Sequence, residues 1–224
     1  MTDVAGVPAR APTQAKVPKP RPFMRLVNDD RRSLRRAAAT LARRELGEPV
    51  GPAALRHERA VLAHAEHLMR LTRDVLPLGA ADRETVGLAC LLHDVGRGGG
   101  GKGHAGRGAR LLMRDRRLPV GAGRRRLLAY LAAHHRGPVP AGGCDGYLRP
   151  ADGARRARAM LGVLRAADVL DGRRGTTAAV RREGATLVIA GDVKAGKVRK
   201  KFRLLAEATG LDVRVEPSRL RLAA

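Results

Sequence analysis

The sequence predicts a mainly α-helical protein that ends in a small β-β-α-β appendage. Trp is absent and Tyr and Phe number two each, so the core has to be packed from Leu, Val, Ala and Met, a set that suits helices better than a β-sandwich. Apolar residues recur at helical spacing through most of the chain. After Gly172 the texture changes to short runs with strand character. At 224 residues and 44% hydrophobic, the chain is long enough for one ordinary domain with an extension.

Residues 1–30 hold five of the thirteen prolines (Pro8, Pro12, Pro18, Pro20, Pro22) without apolar periodicity, and read as a disordered basic arm. Ser33 is placed to cap a helix running to about Leu46, ended by Gly47 and Pro49. A second helix is expected over Pro52–Val75, with Pro52 in its first turn. A third covers Ala81–Val95 and breaks at the glycine run Gly98–Gly101. Further helices are expected at His104–Arg116, Gly123–His135 and Gly153–Leu170. Thr176–Arg181, Thr186–Ala190 and Leu211–Val215 read as strands, with a helix over Lys194–Thr209 between the last two. The expected organisation is therefore an arm at 1–30, a helical domain at 31–172 and a small α+β unit at 173–224.

Lys and Arg total 45 against 21 acidic residues, for a net charge of +24. Only 7 of those 45 are Lys, a bias that a GC-rich genome explains, although it does not explain the excess over acids. A field of this sign attracts polyanions such as nucleic acid, polyphosphate or nucleotides. The scarcity of aromatics argues against single-strand nucleic-acid binding by base stacking, and no helix-turn-helix or finger motif is present. No apolar run approaches the roughly 18 residues of a spanning helix, which excludes a membrane protein. No secretory signal is visible, and the two cysteines, Cys90 and Cys144, make no disulfide scaffold, so a reducing cytoplasm is expected.

Chemistry concentrates on four helical stripes. His57, Val61, His64 and Leu68 share one face; Val86, Ala89 or Cys90 and His93 share another, with Asp94 beside them. Leu161, Leu164, Asp168 and Asp171 form a third stripe, and Leu127, Leu131 and the pair His134–His135 a fourth. A carboxylate on a core stripe is costly unless it is paired or binds a metal. One inward histidine is unremarkable, but four helices each turning His or Asp inward point to a divalent transition metal held between helices.

In order along the chain, His57, the adjacent His93–Asp94 in LLHDVG, and Asp168 in LRAADVLD resemble the pattern of HD-domain metal-dependent phosphohydrolases. His104 in GKGHAGRGARLL and His134–His135 in AAHHRG match positions that complete two-metal sites in some of those enzymes. More narrowly, ACLLHDVGR, the HHR at His134–Arg136, VLRAADVLDGRR and the tail from LVIAGDV through KKFRLLAEATGLDVRV are similar to the C-terminal HD domain of the exopolyphosphatase/guanosine pentaphosphate phosphohydrolase family. The resemblance spans about residues 35–216.

The resemblance implies an HD-domain helical bundle in which His57, His93, Asp94 and Asp168 hold a first metal. It implies that His104 and His135 complete a second, with Asp94 bridging as the catalytic carboxylate and His134 either a ligand or a neighbour. The implied cofactor is one or two divalent ions, for which Mn, Fe, Ni, Co, Zn and Mg all fit. The implied reaction is hydrolysis of a phosphate ester or phosphoanhydride, nucleotide or polyphosphate-like, by metal-activated water. Arg97, Lys102 and Arg136 each lie within a few residues of an implied ligand and are candidate substrate clamps. Members of the narrower family carry an actin-like ATPase-fold domain ahead of the HD region, which holds the polyphosphate-hydrolysing site. These residues leave no room for it, so a non-catalytic polyanion-binding regulatory module is the alternative expectation.

Gly96, Gly101 and Lys102 satisfy G-x-x-x-x-G-K, but Gly103 replaces the hydroxyl residue of a P-loop and the run follows a helix, so it reads as a flexible lip over the site. The strand edges of the appendage offer a surface for a homodimer.

Overall fold

The computed structural model describes residues 23–48, 55–140, 146–148, 153–172 and 176–217. Seven α-helices occur among them: α1 (Phe23–Leu46), α2 (Arg56–Leu71), α3 (Ala80–Leu92), α4 (His104–Arg114), α5 (Ala122–His134), α6 (Ala154–Leu170) and α7 (Ala195–Thr209). A 3-10 turn, Val95–Gly99, links α3 to α4. The strands are β1 (Asp171–Gly172), β2 (Thr176–Thr177), β3 (Ala179–Glu183), β4 (Thr186–Ala190) and β5 (Asp212–Glu216). The fold is the mainly helical one expected, with a small C-terminal sheet.

Three helices make the centre. On α6 every residue from Ala159 to Leu170 is buried, on α3 every residue from Thr85 to Leu92, and on α5 the run Leu127–Ala132. A helix apolar all round belongs inside a fold, and these three pack on one another while α1, α2 and α4 cover them. All three end at the same side of the molecule, where α2 and α4 begin.

Several boundaries differ from expectation for local reasons. The first helix starts at Phe23, inside the stretch expected to be a disordered arm, and Ser33 lies exposed in its interior instead of capping it. No proline or glycine lies between Pro22 and Gly47, so nothing interrupts the turn. The second helix ends four residues early, at Leu71, with Thr72 Oγ1 donating to the Leu68 carbonyl. Its expected first-turn Pro52 lies outside the described residues, as does Cys144. The expected strand over 176–181 is split between two partners: Thr176–Thr177 pairs with Asp171–Gly172, a ladder the Ala178 N–H continues to the Leu170 carbonyl, whereas Ala179–Glu183 pairs with β4.

The glycine segment is packed at its start, at Gly96 and Gly98, while Gly100 and Gly101 are exposed with open space around them. A Cβ on Gly96 would lie 2.1 Å from the His104 carbonyl oxygen, and one on Gly98 2.0 Å from that of Glu45, so only glycine allows these backbones to meet. Arg107 straps the same segment, donating to the carbonyls of Gly96, Gly100 and Lys102.

In the C-terminal unit, β3 pairs antiparallel with β4, and β4 pairs parallel with β5 after the α7 crossover, giving the order β3-β4-β5. The unit is docked on the helical bundle. Helix α7 lies along α6, and a Cβ on Gly162 would come within 2.7 Å of the Leu205 backbone nitrogen. His67 ties α2 to this sheet through the Val180 carbonyl at 2.8 Å.

Candidate metal centre

The site assembles where helices end. His93 is the C-cap of α3, His135 the C-cap of α5, and Asp168 lies in the last turn of α6. His57 is the second residue of α2 and His104 the first of α4. The start of α2 is unusual: Leu55, buried, takes a left-handed φ of 56°. For a non-glycine residue that costs on the order of 1–2 kcal/mol, and the Leu55 N–H is held by the Glu48 carboxylate.

Carbonyls in the last turns of α3 and α5, where helix ends leave such groups without partners, and one in the turn before α4 are taken by the imidazoles. His93 Nδ1 donates to the Cys90 carbonyl at 2.8 Å, His135 Nδ1 to that of Ala132 at 2.7 Å, and His104 Nδ1 to that of Gly101 at 2.6 Å. His57 Nδ1 is held instead by the Asp171 carboxylate. These acceptors set the tautomers, leaving four Nε2 lone pairs aimed inward.

The inward atoms fall into two groups. His57, His93 and Asp168 make one, and Asp94, His104 and His135 the other. Asp94 joins them. Its Oδ2 lies 3.7 Å from His57 Nε2 and 3.6 Å from His93 Nε2, while its Oδ1 lies 3.2 Å from His104 Nε2 and 3.3 Å from His135 Nε2. Asp168 Oδ1 stands 3.5 Å from His57 Nε2.

The chemistry of this donor set fits divalent cations. His57 and His93 bring their Nε2 atoms to 3.3 Å, and His104 and His135 theirs to 3.2 Å. Neutral imidazoles with their protons on Nδ1 would point lone pair at lone pair across those gaps, beside anionic carboxylates, and a cation between them turns that repulsion into ligation. Burial pushes the His93 imidazole down to about 4 despite the nearby Asp94, which keeps it neutral and able to ligate near pH 7. Burial lowers His104 as well, against its hydrogen bond to Gly101. For Asp168, burial works upward, but the contact with His57 and the charge of Lys201 outweigh it and hold the carboxyl well below the usual range.

A family model described as HD domain matches residues 54–173, more than half of the chain. The chain belongs to the HD domain family. Among curated proteins none matches the sequence. Domains of this family are metal-dependent phosphohydrolases in general, and the buried His/Asp groups of this HD domain are of the kind that binds divalent metal. No helix among the described residues is long and apolar enough to cross a membrane.

Of the residues expected from sequence, His57, His93, Asp94, His104, His135 and Asp168 are brought together. His134 lies apart from them, with its ring 4.8 Å from that of Tyr130 and its carbonyl taken by Arg165. Arg97 reaches the HD-domain site, its Nε 2.8 Å from Asp94 Oδ2. Lys102 and Arg136 are exposed, two residues before His104 and one after His135.

Sequence reasoning missed three residues around the site. Lys201, on α7, donates to Asp168 Oδ2 at 3.2 Å and to the His135 carbonyl at 2.9 Å. Its signal was available, since Val198, Lys201 and Leu205 follow i, i+3, i+7 and put a lysine on a core stripe. Glu58 is buried beside His57, and burial raises its carboxyl. It belongs to the true buried face of α2, Glu58–Val61–Ala65–Leu68, with His57 at its edge. Arg165 donates to the carbonyls of His134 and Gly137 and so holds the turn that carries His135.

Proposed function

We propose that this HD domain hydrolyses a phosphate ester or phosphoanhydride, with a nucleotide or a polyphosphate-like chain as substrate. The observation that carries this reading is Asp94, whose two oxygens face two separate imidazole pairs. His57, His93, Asp168 and Oδ2 of Asp94 would hold one divalent ion, and His104, His135 and Oδ1 of Asp94 a second. Ions bound there would neutralise phosphoryl oxygens and acidify a water.

The chain's own residues orient and clamp. Asp94 fixes the spacing of the two halves and is the carboxylate nearest to both. Arg97, at Asp94, and Lys102 and Arg136, at the surface beside His104 and His135, are the cations that would meet the substrate phosphate. The net charge of +24 draws polyanionic substrates toward them.

The same charge also supports a second reading, a non-catalytic regulatory module that docks polyphosphate or nucleic acid. Asp94→Ala separates the two. Metal equivalents and phosphate release are measured on the parent and the variant, beside polyphosphate binding. The hydrolase reading expects one to two equivalents in the parent, with metal and turnover lost in the variant and polyanion binding nearly unchanged. Turnover that survives Asp94→Ala contradicts the site as drawn, and a parent that takes up no Mn or Fe leaves the second reading in its place.

A further inference from the structure

The C-terminal unit lies mostly beyond the region that defines the family, yet it sends one side chain into the site. Lys201 is half-buried on α7, with its ammonium on Asp168 Oδ2 and the His135 carbonyl. Arg97 stands at the carboxylate that joins the two groups, 2.8 Å from Asp94 Oδ2. Both carboxylates face His57 and His93. The site therefore carries two cations, one from the turn after α3 and one from α7, each within hydrogen-bonding or ion-pairing reach of a carboxylate that would ligate the first ion.

We propose that Lys201 is a phosphoryl-binding residue, the second cation of an anion clamp whose first is Arg97, so that the C-terminal unit forms part of the substrate site. This rests on the hydrolase reading above. An ammonium has three protons. Two of them serve Asp168 and His135, and the third is left for a phosphate oxygen lodged on the same ions. The close approach of α7 to α6 at Gly162, which allows no Cβ, holds that lysine in register with Asp168 two turns along. An element that merely covered the core would have no reason to place a lysine on its buried stripe; Val198 and Leu205, one turn to either side, are apolar and buried.

The test uses the full chain loaded with Mn, with inorganic phosphate as the probe. Lys201→Met keeps the side-chain length and removes the charge, Lys201→Arg keeps the charge, and Arg203→Met removes a charge from an exposed position of the same helix. Metal equivalents, melting temperature and the phosphate dissociation constant are measured for each. A charge-assisted hydrogen bond lost from a partly buried site weakens phosphate binding by at least about tenfold. The expected result is that loss in Lys201→Met with metal equivalents unchanged, recovery to within about threefold in Lys201→Arg, and parent behaviour in Arg203→Met.

Phosphate affinity unchanged in Lys201→Met overturns the inference. So does a loss of metal in that variant, which would make Lys201 a positioning residue for Asp168. A parent that binds neither Mn nor phosphate overturns the hydrolase reading and this inference together, whereas a normal parent with an indifferent Lys201→Met overturns the inference alone.

Discussion

The Asp171 carboxylate holds the Nδ1 of His57, across 114 residues of sequence. Asp171 opens the two-residue strand β1, whose ladder pairs Asp171 with Thr177 and Gly172 with Thr176. A carboxylate behind a ligating imidazole sets its tautomer and its basicity, and losing such a partner costs roughly 10–100-fold in metal affinity. Asp171→Asn is expected to keep the fold and weaken the first metal by about that factor. Titration of the metal-free variant with Mn checks it, and parent-like affinity contradicts the role.

The neighbours His134 and His135 diverge. His135 Nε2 is in the second group, 3.3 Å from Asp94 Oδ1, while His134 packs on Tyr130. His135→Ala is expected to abolish the second metal equivalent. His134→Ala is expected to leave the stoichiometry intact and to cost about 0.5–1.5 kcal/mol, the size of an aromatic contact. Elemental analysis and urea unfolding of the two variants decide it.

Acid should weaken the metal-free fold. Burial pushes His93 down to about 4, and in the unfolded chain a histidine titrates near 6.5. Between those values the unfolded chain binds the extra proton, so stability falls as pH drops from about 6.5 towards 4, by about 3 kcal/mol when complete. Glu58, raised by burial, acts with the opposite sign and weakens the fold as pH rises through the carboxylate range. A lower urea midpoint at pH 5 than at pH 7, flattened in His93→Gln, is the expected result; an equal or higher midpoint at pH 5 refutes it.

Gly162→Ala should force α7 away from α6. The added Cβ would meet the Leu205 nitrogen at 2.7 Å and the Leu204 carbonyl carbon at 2.9 Å, both backbone atoms that cannot rotate aside. Overpacking of this kind costs about 1–3 kcal/mol. Because Lys201 rides on α7, phosphate affinity should fall with the melting temperature. An exposed glycine change, Gly196→Ala, open to solvent and within the first turn of the same helix, should do neither.

What the sequence by itself determined is local. Helical periodicity acts over three or four residues, so the stripes of α3, α5 and α6 and the carboxylates and histidines at their ends were legible one helix at a time. The order of His57, His93–Asp94 and Asp168 then identified the kind of site. Tertiary structure alone decided which side chains meet. Successive helical residues point about 100° apart, so His134 and His135 are equal in composition but not in direction, and only the packing of α5 against α3 and α6 turns His135 to Asp94. Likewise Lys201 is 33 residues from Asp168 in sequence, and it reaches that carboxylate because a glycine on α6 lets α7 lie close. Separations of this length are set by helices docking as rigid bodies, which no local pattern records.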